Sequence, residues 1–384
     1  MAEPLNHSND IGKWLKLIRA KGIGPATFTR LIKHFGSPDA VLGTSVRQLT
    51  HIEGIGLKSA EQIARTRHKF DTEAELKLAD KLNVTILHLN DSRYPPVLKK
   101  IYDPPPVIYL KGNFNKNDNL CIAIVGSRRC SLYGREQASR LAYLLASAGF
   151  NICSGMARGI DSAAHHGALS AKGRTIAVQG CGLAKIFPPE NEKLFSHISK
   201  SGCCISELPL NYGPLPENFP PRNRIIAGLS LATIVIEAPL RSGALITARA
   251  ALENNREVMA VPGKIDSPLS KGAHQLIKHG AQLVESIEDV LEALGYIGEQ
   301  LMEHGTAAAN DATQKVKSPL FAPQKLNLSP DEKSIRDYLT KEPIHIEQII
   351  AQTDLSPGQI NAALISLQLK GLVNSHPANF FSKK

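Results

Sequence analysis

The sequence predicts an α/β protein: a doubly wound, mainly parallel sheet, preceded by a small helical domain and followed by a helix–turn–helix unit with a wing. Three observations predict this class. Short apolar runs of strand length, Leu120 to Val125, Phe150 to Cys153, Thr175 to Val178, Cys204 to Ser206 and Thr233 to Ile236, each open into a loop rich in glycine, proline or arginine. Helical periodicity separates them: across 134–148, Leu141, Leu144 and Leu145 recur on one face and Gly149 supplies a stop. Strand, glycine turn, helix and strand within about thirty residues is a βαβ unit, and its repetition builds a parallel sheet. Finally, 384 residues at 42% hydrophobic content suffice for one large core and small satellites.

From Ile11 to His68 the chain reads as short helices broken by GIGP at Gly22 to Pro25 and GIG at Gly54 to Gly56, each followed by an amphipathic run, TFTRLIKHF and LKSAEQIART. This is the arrangement of tandem helix-hairpin-helix motifs, whose backbone N–H groups can meet a phosphate. Residues 1–70 hold eleven Lys and Arg against five Asp and Glu, a net +6 of the whole chain's +10. Auxiliary DNA contact and a purely structural helical domain both fit. Residues 69–82 read as a charged connecting helix and NVTILHL, residues 83–89, as a strand. The proline-punctuated segment 91–113 cannot be continuous helix. Residues 71–296 are therefore taken as one domain.

In a parallel sheet the loops that follow strands all emerge at the carboxyl edge, so those loops should line one crevice. It would collect Arg128, Arg129, Arg158, Lys185, Arg222, Arg224 and Arg241, with few acids beyond Asp161, Glu207 and Glu237. That is a site for a polyanion. Gly126, Ser127 and Arg128 are its strongest candidates: a glycine admits a ligand to the backbone, a hydroxyl donates to phosphate, and a guanidinium grips phosphate bidentately. Tyr133 has two readings, stacking on a base or packing. Gly180 and Gly182 frame the loop that carries Lys185. Arg158 either meets ligand or pairs with Asp161, which sits where a helix N-cap belongs. Arg222, Asn223 and Arg224 are expected to precede a helix, IIAGLS, with Phe219 as a stacking face. Ser242 and Gly243 begin a helix that faces the crevice. His165 and His166 read as packing residues, since no nucleophile or metal set adjoins them.

After Val258 to Val261 come another loop, a helix and a short strand that closes the sheet, then a last helix over 287–294. Residues 297–328 lose periodicity and read as a linker. Residues 329–384 give helix, turn, helix and hairpin, the pattern of a winged helix. Its reading helix, 356–370, offers mainly Gln359, Asn361, Ser366 and Gln368 and little positive charge, which argues against strong duplex binding. A protein-contact role fits at least as well.

Taken in order, IVGSR, SGMARGIDSAAHHGAL, FPPRNRIIAGLS, SGALITARAALE and VPGKIDSPLSKGAHQLIKHGA resemble the motifs of the DNA-processing protein A family (DprA, also called Smf), over roughly Asn83 to Leu294. The resemblance implies a Rossmann-like domain that binds single-stranded DNA, dimerises, and helps load the RecA recombinase during natural transformation. It also implies that segment 91–113 extends the sheet. Catalysis is not expected, nor is a cofactor. The alternative is a nucleotide-processing hydrolase on a related fold. Such enzymes carry a GGxGT loop followed by a catalytic glutamate, whereas here Ala248, Arg249 and Ala250 follow Thr247. Nicotinamide chemistry is disfavoured because the first loop is GSRRCSLYG rather than GxGxxG, and ATP use because GIGLKS lacks P-loop spacing.

A net charge of +10 and a pI near 9.2 favour a nucleic acid or an anionic membrane as partner. No apolar run approaches the roughly eighteen residues a spanning helix needs, and MAEPLNHSNDIGKW has no signal-peptide core, so a cytoplasmic protein without a membrane partner is expected. Six cysteines, at 121, 130, 153, 181, 203 and 204, read as reduced core residues, with Cys181 the thiol to watch for reactivity. No CxxC or zinc-spaced set appears, so no metal is expected.

Overall fold

A computed structural model of the chain describes residues 7–295, 330–340 and parts of 342–383. The helices α1 (His7–Ile18), α2 (Pro25–Phe35), α3 (Pro38–Gly43), α4 (Val46–Leu49), α5 (Leu57–Thr66) and α6 (Thr72–Leu82) open it. Two matching turns arrange them. Gly22 and Gly54 take φ of 88° and 79°, a conformation other residues adopt at a cost. Two residues on, Gly24 and Gly56 are the extended N-caps of α2 and α5. Trp14, Phe28, Leu31, Leu49 and Ile63 close this core, which continues without a break into the sheet through Val84, Tyr109 and Leu210.

Strands β1 (Val84–His88) and β2 (Val107–Gly112), joined through α7 (Pro96–Lys99), precede the alternating region. There β3 (Cys121–Val125), α8 (Leu132–Ser147), β4 (Asn151–Ser154), α9 (Ile160–Ser170), β5 (Thr175–Val178), α10 (Glu192–Ser201) and β6 (Cys203–Ser206) run on one side. Helix α11 (Phe219–Leu229), β7 (Ala232–Val235), α12 (Gly243–Glu253), β8 (Glu257–Ala260), α13 (Lys271–Lys278) and β9 (Gln282–Leu283) complete the other. Nine strands stand in the order β1-β2-β6-β5-β4-β3-β7-β8-β9. Strands β3 to β9 run parallel to one another, while β1 pairs with β2, and β2 with β6, antiparallel. The doubly wound class is thus the fold observed, with segment 91–113 extending the sheet.

Alternation along β3 divides the two layers. Ile122 and Ile124 pack with Leu141 and Leu145 of α8 and Ala164 of α9. Ala123 and Val125 pack with Ile225 and Ile226 of α11 and Ala248 of α12. A strand buried on both faces has no polar side to show, which is why β3 reads as an unbroken apolar run. The chain winds outward from β3 to β6, then returns to place β7 on the other side of β3. The strand order therefore reverses between β3 and β7, and their carboxyl ends leave a crevice there.

One predicted boundary is corrected. The helix expected to start at IIAGLS begins at Phe219, so Arg222, Asn223 and Arg224 lie within α11 instead of preceding it. Pro220 and Pro221 occupy its first turn, where the missing N–H would have had no intrahelical partner.

The chain divides into two compact units, Met1–Gly305 and Thr306–Lys384. In the second, a helix over Pro330–Tyr338 and another over Ile346–Gln352 accompany a three-stranded sheet of β10 (Ile344–His345), β11 (Val373–His376) and β12 (Phe380–Lys383), ordered β10-β12-β11. Ile335, Ile349, Leu364, Leu367 and Phe381 form its own core. The linker 297–328 and the polar positions Gln359, Asn361, Ser366 and Gln368 lie outside the described residues. Among the described residues no helix is long and apolar enough to cross a membrane.

Candidate nucleic-acid interface

A cavity of about 520 Å³ occupies the point where the strand order reverses. Gly126, Ser127 and Arg128 after β3, Arg222 and Asn223 on α11, and Ser242 and Gly243 at the start of α12 all line it. Phe187 and Phe219 add two aromatic rings, 5.7 Å apart between centroids. Of the other candidates, Tyr133, Arg158, Gly180, Gly182, Lys185 and Arg224 do not line this cavity.

The turn after β3 is held from beneath. Ser127 N donates to Glu237 O at 2.7 Å, and Ser131 Oγ donates to the Glu237 carboxylate at 2.5 Å while capping α8. Ser127 Oγ accepts from Arg129 N at 3.1 Å, and its hydroxyl hydrogen has no acceptor among the described residues. Arg128 is exposed, with its guanidinium carbon 4.9 Å from the Phe219 ring centroid, a cation–π distance. It has no carboxylate partner among the described residues. Lys185 is likewise exposed and without an ion pair among them.

Arg222 is only 4% exposed and spends its guanidinium on the Gly155 and Val178 carbonyls, the former at 2.8 Å. Burial lowers its pKa. Close by, Asp161 Oδ2 accepts from Gly155 N and Ala157 N at 3.2 and 3.3 Å. Asp161 is therefore not an N-cap, since Gly159 takes that position on α9, and its carboxylate braces the loop before the helix. Burial raises the Asp161 pKa, opposed by the charges of Arg222 and Arg128 and by those two N–H groups. Arg224 turns to the acids of other loops: Glu207 holds it with two bonds of 2.9 and 2.7 Å, and the Asp103 carbonyl accepts from its Nε at 2.9 Å. Arg158 pairs with Glu190 and not with Asp161. Asn223 donates to Gly243 O at 3.1 Å, tying α11 to the start of α12.

Packing accounts for three candidate glycines. A Cβ on Gly126 would stand 2.9 Å from Glu237 O, one on Gly180 2.8 Å from the Phe219 ring, and one on Gly182 would meet the Pro209 carbonyl. Gly243 differs: nothing lies within 4 Å of a Cβ there, so the open space belongs to the cavity. Tyr133 donates to Pro262 O at 3.3 Å and is 47% exposed. Phe187 was missed in the sequence, although an aromatic residue before two prolines in the Lys185 loop was a usable signal. Cys181 is not the reactive thiol that its loop suggested: it is buried, its pKa is pushed up to about 11 by that burial, and it donates to Lys185 O at 2.7 Å. The cysteines are all free. Among the described residues no group of three or more His, Cys, Asp or Glu is placed to hold a metal ion.

A doubly wound sheet with a cavity at its strand-order reversal, and the exposed Arg128 guanidinium in its lining, defines a Rossmann-like ligand-binding protein. The DNA recombination-mediator protein A family matches residues 85–295, a SAM-like helix-hairpin-helix tandem matches 15–68, and the DprA winged helix domain matches 319–379. The chain belongs to the DNA recombination-mediator protein A family. It is 36% identical to Protein Smf of Synechocystis sp. over 97% of this chain and 98% of that protein. Its fold matches DNA processing protein A of Streptococcus pneumoniae with a TM-score of 0.64 and 34% identity, over 76% of this chain and 98% of that one. It also matches DNA processing protein A of Helicobacter pylori, whose structure was described for its single-stranded DNA binding mode, with a TM-score of 0.50 and 30% identity over 56% of this chain and 96% of that one.

Proposed function

We propose that this chain binds single-stranded DNA at the carboxyl edge of its sheet. It acts as a homodimeric, cytoplasmic recombination mediator that shields incoming DNA and helps load RecA during natural transformation. The observation that carries this reading is Arg128, an exposed guanidinium over Phe219 at the mouth of a cavity with two aromatic rings. A flexible strand supplies what that mouth suits, a phosphate for the guanidinium and a base face for the ring. The relative from Helicobacter pylori and the family membership support the same ligand.

The three acids of the rim are already engaged: Asp161 by two backbone N–H groups, Glu207 by Arg224, Glu237 by Ser131. Each is tied up by these bonds, and of the three only Asp161 lines the cavity, which supports binding without catalysis. The test is a salt titration of binding to single- and double-stranded oligonucleotides by the full chain. Wild type should prefer single strands. Arg128→Ala and Lys185→Ala should each weaken binding by roughly tenfold or more, the scale of one charge-assisted hydrogen bond, and flatten the salt slope by about 0.7 for each phosphate no longer neutralised. Wild-type affinity in both variants would overturn the crevice assignment, and release of free base from nucleoside monophosphates would replace this reading with the hydrolase alternative.

A further inference from the structure

A second cavity of about 520 Å³ lies behind Arg128, in the other helical layer. The reversal-point cavity is walled by α11 and α12; this one is walled by Arg135 and Ser139 of α8 and by Ser162 and His166 of α9. Arg128 lines both, so its loop stands as the ridge between them across the carboxyl edge of the sheet.

The two cavities differ in chemistry. The second contains four arginines, Arg128, Arg129, Arg135 and Arg158, with no carboxylate and no phenylalanine, tyrosine or tryptophan in its wall. Arg158 is held by Glu190. Arg128, Arg129 and Arg135 are exposed and have no ion pair among the described residues. Nothing in the packing of the protein explains three unpaired guanidinium groups around one hollow, because each repels the others and none satisfies a buried acceptor. Burial lowers the pKa of His166, and the charge of His197 adds to that, so it stands as a neutral neighbour.

We propose that this hollow is a second phosphate subsite for the same single strand. Bases and their phosphates are held at the reversal point; the strand then crosses the Arg128 ridge, and its next phosphates lie against Arg129 and Arg135. With no aromatic surface there, the subsite takes the backbone alone and is indifferent to sequence. It rests on the single-strand reading above and adds a direction and a length to it.

Oligothymidylates of about three to about twenty nucleotides, bracketing common single-strand site sizes, test it with the full chain across a salt series. In the double variant Arg129→Ala/Arg135→Ala, the shortest strands should bind as to wild type. Long strands should bind roughly tenfold more weakly, with a salt slope smaller by about 1.4, the share of two phosphates no longer neutralised. Its thermal midpoint should be unchanged or raised, since neither guanidinium has a partner within the protein and their mutual repulsion is relieved. Arg128→Ala and Lys185→Ala serve as the separate control. If they bind short strands like wild type, the reversal-point reading itself fails. If they lose short strands while the double variant binds long ones with wild-type affinity and slope, the second subsite alone fails. Equal loss of short and long strands in the double variant also overturns it, because the two arginines would then act on the first cavity.

Discussion

Arg128 and Arg222 line the same cavity and carry the same side chain, yet the protein uses them in opposite ways. Arg128 is exposed and bound to nothing but a ring face. Arg222 is sunk in the wall, where it joins the carbonyls that end β4 and β5 and faces the Asp161 charge. Arg224, two residues further on, is committed to Glu207. A count of arginines along a rim therefore overstates the charge offered to a ligand. Some of that charge is structural, and the division follows from whether an acceptor from another loop reaches the guanidinium.

The largest effect expected from this contrast is in Arg222→Ala. Removing it strips two buried carbonyls of their donor and takes the larger of two favourable charges from Asp161, at a cost of about 3–5 kcal/mol. Chemical denaturation should show this as a lower midpoint, whereas Arg128→Ala should unfold like wild type while binding poorly. A midpoint for Arg222→Ala equal to that of Arg128→Ala would erase the distinction. Next comes Glu207→Gln, which takes the nearer carboxylate from Arg224, leaves it with Asp103, and should cost about 2 kcal/mol in the same measurement. The loss of one negative charge should leave single-strand affinity unchanged or raised; a drop would mean that Glu207 shapes the wall of the cavity.

His165 gives a smaller, pH-dependent handle on the charge of Arg222. Its Nδ1 lies 2.7 Å from Thr175 Oγ1, whose own hydrogen goes to Ile152 O, so the proton sits on Nδ1. Its pKa is pushed from 6.5 down to about 3, first by burial and then by the charges of His166 and Arg222. The unfolded chain gains a proton near pH 6.5 and the folded chain does not, so stability falls as pH drops through that window, by up to about 1.4 kcal/mol per unit. His165→Gln should flatten the acid limb of a stability–pH curve; an unchanged limb would show that another group causes it. The smallest effect is expected from Arg158→Ala. Its pair with Glu190 is more than half exposed on the arginine side and half exposed on the other, so the change in denaturation should stay below about 1 kcal/mol.

The sheet was legible because its strands are buried on both faces: predicted and observed strands agree to within a residue or so at each of the five runs. The winged pattern and the paired glycine turns were legible for a related reason, since local spacing alone sets them. The start of α11 was not, because two prolines at a first turn look the same in sequence as two prolines in a loop. The state of each arginine was hidden more deeply. Glu207 lies 17 residues from Arg224 and Glu190 lies 32 from Arg158, so their pairing is a product of the fold and has no local signature.

The N-terminal part of unit one is stitched to the loop after β6 at a particular place. Arg19 of the N-terminal helices donates to the Glu207 carbonyl at 2.5 Å, and Glu75 accepts from Leu210 N at 2.8 Å. The peptide they grip leads directly to the prolines and Phe219 of the binding cavity. Trp14 meanwhile lies flat on His88 at 4.7 Å. The opening helices thus behave as scaffolding for a distant wall, and a version of this protein trimmed to begin near residue 83 would leave that wall propped on one side only.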